Sequence, residues 1–212
     1  MPLTLFHSPG TRSIRALWLL EEMGLPYQLK SIKYDSAYFA SDEFRAINPM
    51  GKVPALFDDG ALIVESTAIL EYLLQRHGPS ELSVPPSDPE YGTYLQWFHM
   101  AESGMANYIA VSFGHTFNMD PYKVSEPFDG YCRYQITKAL EMLEPLVSDR
   151  EYLLKRGFSA ADIALGYTLF FAQACTGTEF SEAVKRYYET LLARPGMQKA
   201  MSDLKAPANE SA

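Results

Sequence analysis

The chain has 212 residues, room for one large domain or two small ones. Lys plus Arg is 18 and Asp plus Glu is 26, a formal charge of −8 that lacks the basic footprint of a phosphate-backbone binder and excludes nucleic acid as the expected partner. Hydrophobic residues make up 47% and charged residues 21%, which excludes an intrinsically disordered chain and suits a packed core.

Leu3 to His7 is a brief β-like run that ends at the turn signal Ser8-Pro9-Gly10. Residues 12–24 read as a helix, with Leu17-Trp18-Leu19-Leu20 apolar all round and Gly24-Leu25-Pro26 as its stop. Tyr27 to Lys33 alternates as a strand, and Ser41-Asp42-Glu43-Phe44 opens a short helix. Pro54 to Phe57 and Leu62 to Val64 form a hairpin around Asp58-Asp59-Gly60-Ala61, where the Asp-Gly pair favours a tight turn. Ser66 to Arg76 is helical, with Ile69, Leu70, Leu73 and Leu74 on one face. The order β-α-β-α-β-β-α predicts a small mixed sheet with helices.

Four prolines and a glycine between Gly78 and Pro89 mark a linker. Beyond it, no strand is expected. Tyr91 to about Met119 reads as one long helix or two, followed by helices over Tyr122 to Val147, Ala161 to Ala174 and Ser181 to Ala193. Pro195 opens a last short helix, and Ala206 to Ala212 reads as a frayed tail. The expected domains are 1–78, of α/β class, and 89–206, an all-α bundle, divided by a linker at 79–88.

Two cysteines, Cys132 and Cys175, without a C-x-x-C pair exclude a dithiol redox motif and fit a reducing, cytoplasmic compartment. His7, His77, His99 and His115 lack ligand spacing, so no metal site is expected. The N-terminus shows no signal peptide, and no run of 18 apolar residues predicts a membrane span.

Four motifs carry candidate chemistry. In Asn48-Pro49-Met50-Gly51-Lys52-Val53-Pro54, a cis Val53-Pro54 bond would turn the Val53 N–H and C=O outward as a clamp for another peptide. A trans edge-strand proline is the plainer alternative. Glu65-Ser66 stands at a strand-to-helix junction, where helix amides favour a carboxylate and Glu65 suits an ammonium. Simple N-capping by Ser66 is the competing reading. Ser8-Pro9-Gly10-Thr11-Arg12-Ser13 offers three hydroxyls and a guanidinium at a helix start, able to stabilise a thiolate or merely to cap. Ser159-Ala160-Ala161-Asp162 reads as a capping box, a structural device. The aromatic stripe Tyr94, Trp97, Phe98, Tyr108, Phe113, Phe117 is core, part of it facing a cleft.

Together these motifs resemble the cytosolic glutathione transferase family over nearly the whole chain. N-P-x-G-x-V-P followed a dozen residues later by E-S-x-A-I is specific as a pair. The resemblance implies a thioredoxin-like N-terminal domain, an all-helical C-terminal domain and a cis Pro54. It also implies that Val53 clamps the cysteinyl backbone of glutathione, with Glu65 and Ser66 holding its γ-glutamyl end and Lys52 near its glycyl carboxylate. Ser8 falls on the thiolate-stabilising hydroxyl of serine-type classes, with Thr11 second and Arg12 an electrostatic helper. Arg12 stands where the beta class has a catalytic cysteine, so that mechanism is not expected here. Tyr108, Phe113, His115 and Phe117 are candidates for an electrophile pocket between the domains. The implied activity is attack of the glutathione thiolate, glutathione being co-substrate, on a small hydrophobic electrophile by a homodimer. Isomerase, peroxidase and dehalogenase chemistry on the same fold remain alternatives, as does a non-catalytic ligand-binding or stress-associated interaction protein.

Overall fold

The computed structural model describes residues 2–117, 119 and 123–205. The chain divides into two compact units: the first runs to Ser80 and resumes at Arg194, and the second is Glu81–Ala193.

The first unit holds a four-stranded sheet of order β2-β1-β3-β4. Strand β1 (Leu3–His7) pairs parallel with β2 (Tyr27–Ser31) and antiparallel with β3 (Ala55–Asp58), which pairs antiparallel with β4 (Ala61–Val64). The β3–β4 turn has positive φ at Asp59 (47°) and Gly60 (88°), the combination a two-residue hairpin demands. Strand β2 is an exposed edge, so its alternation in sequence does not reflect a buried face. Helix α1 (Ser13–Met23) is buried at every position from Ser13 to Leu20, as its all-round apolarity predicts. Gly24, at φ 62°, ends it in a left-handed cap. A short helix α2 (Ser36–Ala40), capped by the Asp35 carboxylate and not expected from the sequence, precedes α3 (Asp42–Ile47). Helix α4 (Ser66–Arg76) buries Ile69, Leu70, Leu73 and Leu74 and packs on α1.

The second unit is helical. Helices α5 (Tyr91–His99) and α6 (Asn107–Thr116) are joined through a π-helical segment, Met100–Ala106, which resolves the expected single or double helix into a continuous one with a wide central turn. Helices α7 (Glu126–Val147), α8 (Ala160–Thr176) and α9 (Glu182–Leu192) follow. Trp97, Met105, Ile109, Leu143, Ile163 and Tyr187 lie in the unit's core. The Ser159–Asp162 capping box is formed: the Asp162 carboxylate accepts from the Ser159 N–H at 2.8 Å and the Ser159 hydroxyl at 2.9 Å.

Helices α10 (Pro195–Ala200) and α11 (Ser202–Lys205) correct the expected extent of the helical domain, 89–206. They belong with the first unit, where α10 packs on α1. Arg194 forks onto Glu22 at 2.9 and 2.7 Å, and Lys199 pairs with Glu21. The sequence expected at Tyr122 the start of α7 and at Ala206 to Ala212 a frayed tail; both lie outside the described residues.

Candidate active site

Strand register brings the three N-terminal motifs together. Phe6 stands opposite Ala55, and Ala55 opposite Val64. The end of β1, the start of β3 and the end of β4 therefore share one edge of the sheet. Ser8, Val53-Pro54 and Glu65-Ser66 follow from these three ends. The N-termini of α1 and α4 emerge at the same place, so two sets of unpaired helix amides meet there.

The Val53-Pro54 bond is cis. Pro54 is buried, Val53 half-buried and Lys52 exposed. The loop before them is held by Asn48, which is 2% exposed. Its side-chain amide donates to the Lys52 carbonyl, and its oxygen accepts from the Met50 N–H at 3.0 Å. Gly51 has φ 62°, and a Cβ there would sit 2.5 Å from the Phe39 carbonyl oxygen, so only glycine fits. Asn48 acts as a bracket for the clamp, a role that the N-P-x-G-x-V-P pattern contains but does not explain.

Glu65 is exposed and has φ 69°, ψ 118°, an unfavourable conformation for a side-chain-bearing residue. Strain of this kind costs about 1–3 kcal/mol and concentrates at functional sites. It turns the chain from β4 directly into α4. Ser66 does not cap its helix, contrary to the plainer reading: it is the first helical residue, and its hydroxyl accepts from Arg15 Nη1 at 2.8 Å.

The turn after β1 is also more specific than a cap. Arg12 occupies the N-cap position of α1 without a side-chain cap bond and is half-buried. The Thr11 hydroxyl donates to the Ser8 carbonyl at 2.8 Å. The Ser13 hydroxyl accepts from the Ser8 N–H at 3.1 Å and lies 2.7 Å from Thr11 Oγ1 and 2.8 Å from His7 Nδ1. Ser8 Oγ is fully covered and has no hydrogen-bond partner. Of the three hydroxyls, that of Ser8 alone is uncommitted, while Ser13 is the hub that shapes the turn. At the far end of the same unit, Asp58 accepts from Tyr72 at 2.9 Å and His77 Nε2 at 2.7 Å, tying the hairpin to the end of α4. Burial pushes this carboxyl up, but the two hydrogen bonds and the His77 and Arg76 charges outweigh it and hold Asp58 below its usual range.

The candidate pocket residues of the second unit separate into two groups. Tyr108 packs edge-on against Tyr131, centroids 6.0 Å apart. Phe113 packs on Phe117 at 4.7 Å and Phe171 at 6.5 Å. Five residues along a helix turn a side chain roughly 140° away, which separates Tyr108 from Phe113. His115 donates from Nδ1 to the Val124 carbonyl at 2.9 Å and so braces the α6–α7 connection. Asp129 adds to that brace, accepting from Ser112 and from Arg133 at 2.8 Å.

Comparison with known proteins agrees with this geometry. The profile of the family described as "Glutathione S-transferase, N-terminal domain" matches residues 1–75. Glutathione S-transferase 3 of Schizosaccharomyces pombe is 29% identical over 210 residues, covering 93% of this chain and 86% of its own. Glutathione S-transferase GstA of Escherichia coli O157:H7 is 28% identical, covering 93% of this chain and 96% of its own. The glutathione transferase URE2P6 of Phanerochaete chrysosporium, solved in complex with oxidized glutathione, superimposes with a TM-score of 0.78 at 27% identity over 95% of each chain. Residues 1–75 thus carry the glutathione S-transferase N-terminal domain, and the chain as a whole, with its thioredoxin-like first unit and helical second unit, is similar to glutathione transferases in sequence and fold.

Proposed function

We propose that the protein is a glutathione transferase that activates the thiol of glutathione for attack on small apolar electrophiles. The observation that carries this reading is the meeting of the cis Val53-Pro54 bond, the strained Glu65 and the N-termini of α1 and α4 at one sheet edge. In this assignment Val53 pairs through its backbone with the cysteinyl residue. Glu65 takes the γ-glutamyl ammonium, Ser66 its carboxylate, and Lys52 the glycyl carboxylate.

A free thiol near pKa ~8.5 is mostly protonated at neutral pH. Lowering it by about two units requires about 2.7 kcal/mol of thiolate stabilisation. The uncommitted Ser8 hydroxyl and the α1 N-terminus are assigned that task, with Arg12 adding positive charge and Thr11 holding the turn. Ser8 is fully covered, so donation to a ligand sulfur involves a rotation of its side chain or a shift of its cover. The thiolate attacks the electrophilic carbon, and a C–S bond forms as the leaving group departs or the electrophile's double bond takes up the electron pair. Phe113 and Phe117, which pack on each other, are assigned the apolar contact for the electrophile, and Tyr108, on another face of the same helix, is not. We assign the working form as a cytoplasmic homodimer on the strength of the family resemblance.

The test is retention on immobilised glutathione followed by conjugation of a chlorodinitrobenzene-type electrophile, with light scattering for oligomeric state. Retention with turnover supports the reading. Failure to bind glutathione refutes it. The covered Ser8 hydroxyl favours a second reading, a ligand-binding protein on the same fold, and retention without turnover across an electrophile panel would select it.

A further inference from the structure

Helix α1 is apolar enough to be buried all round, yet it carries an arginine at its third position. Arg15 is fully buried. Removing a guanidinium from water is costly unless its donors are well placed, and breaking such an arrangement costs several kcal/mol. One of those donors, Nη1, reaches 51 residues along the chain to the Ser66 hydroxyl at 2.8 Å.

The direction of this bond is fixed by chemistry. A guanidinium has only donors, so Ser66 Oγ must accept. The single hydroxyl hydrogen of Ser66 is then left to donate away from Arg15. A hydroxyl that accepts from a cation is also polarised into a better donor. Ser66 opens α4, so its hydroxyl stands beside the first amides of that helix. Arg15 adds a full positive charge to the partial one of the helix end, in a buried setting where screening is weak.

We propose that Arg15 is a positioning residue that presets Ser66 as a hydrogen-bond donor to the α-carboxylate of the ligand's γ-glutamyl end. The proposal rests on the glutathione reading and extends it. It assigns ligand selection to a side chain from a different helix, which recognises an α-amino-acid carboxylate through Ser66 without touching it. The same geometry explains why Ser66 does not cap α4: its oxygen is already directed toward Arg15.

The test compares two ligands by isothermal titration calorimetry, glutathione and its analogue with 4-aminobutyrate in place of γ-glutamate, which lacks only that carboxylate. Wild type is expected to prefer glutathione by about tenfold or more, the worth of one hydrogen bond to a charged group. Ser66→Ala and Arg15→Met are each expected to abolish most of that preference, with the double variant no worse than either alone. Arg15→Lys, which keeps a charge and a donor, is expected to retain part of it, and it carries the test if Arg15→Met does not fold. An Arg15 variant that keeps the full preference overturns the proposal. So does one that weakens both ligands equally, or one whose effect adds to that of Ser66→Ala. If wild type binds neither ligand, or both alike, the glutathione reading of this site fails and the proposal falls with it.

Discussion

Asp162 offers a test of the folding logic that is separate from the chemistry. Its carboxylate accepts from the Ser159 N–H and hydroxyl, the Leu153 N–H at 2.9 Å and the Tyr187 hydroxyl at 3.0 Å. Asp162 is fully buried, and Tyr187 is 1% exposed. Burial pushes the Asp162 carboxyl up, and the four donors pull against it. Asp162→Ala leaves the two backbone N–H groups and the Tyr187 hydroxyl without an acceptor, while the Ser159 hydroxyl can rotate. At about 1–3 kcal/mol for each stranded donor, the expected loss is about 3–9 kcal/mol. That is a large share of the roughly 5–15 kcal/mol of a typical domain. For a chain of this size it corresponds to a Tm lower by roughly 6–36 °C. Asp162→Asn separates shape from chemistry: it keeps one oxygen but sets an NH2 against the donors of the other, so it too should cost about 2–4 kcal/mol. Denaturant and thermal unfolding followed by circular dichroism provide the measurement. Below the transition, turnover per folded molecule should stay near wild type. A loss under about 1 kcal/mol for Asp162→Ala would refute the idea that this carboxylate satisfies the junction between α8, α9 and the Leu153 loop.

The remaining predictions concern the first unit. Ser8→Ala should lower kcat by about 10- to 100-fold, the worth of one hydrogen bond to a developing thiolate, with little change in glutathione KM and no loss of Tm. Undiminished turnover would move the role to Thr11 or Arg12. Ser13→Ala should instead lower stability by about 1–3 kcal/mol, because it strands the buried Ser8 N–H; an unchanged Tm would remove Ser13 as the hub of the turn. Glu65→Gln keeps the backbone geometry and removes the charge, so glutathione affinity should fall by about tenfold in calorimetry, and equal affinity would refute the ammonium contact. Asp58 has a folded pKa below its unfolded value of ~3.9, so its contribution is present above that value and lost as pH falls through the folded pKa. Asp58→Asn should therefore cost about 1–3 kcal/mol at neutral pH and progressively less below pH ~4 in urea melts. A gap that stays constant from pH 7 to pH 3 would contradict this.

Much of the architecture was legible because it follows from local rules. Apolar periodicity placed the long helices, and Asp59-Gly60 located the hairpin. Ser159 and Asp162 announced their own capping box because both partners lie within one turn. Helix α2 was missed because Asp35-Ser36-Ala37-Tyr38 has no apolar period, and its start depends on the Asp35 cap alone.

The functional edge divides in the same way. By itself, the sequence determined which residue types the site contains, since N-P-x-G-x-V-P and E-S-x-A-I-L are contiguous strings. It also determined that the first unit contains no cysteine, since Cys132 and Cys175 lie on α7 and α8 of the second. Only the tertiary structure decided how those residues are wired. Strand register set Ser8, Val53-Pro54 and Glu65-Ser66 side by side, and register depends on pairings between distant segments. The bond from Arg15 to Ser66 spans 51 residues, and no local pattern encodes it. Which of three neighbouring hydroxyls keeps its hydrogen uncommitted depends on angles and distances within one turn. Residue identity and spacing are properties of the chain, whereas hydrogen-bond direction and burial arise only when separate segments close on one another.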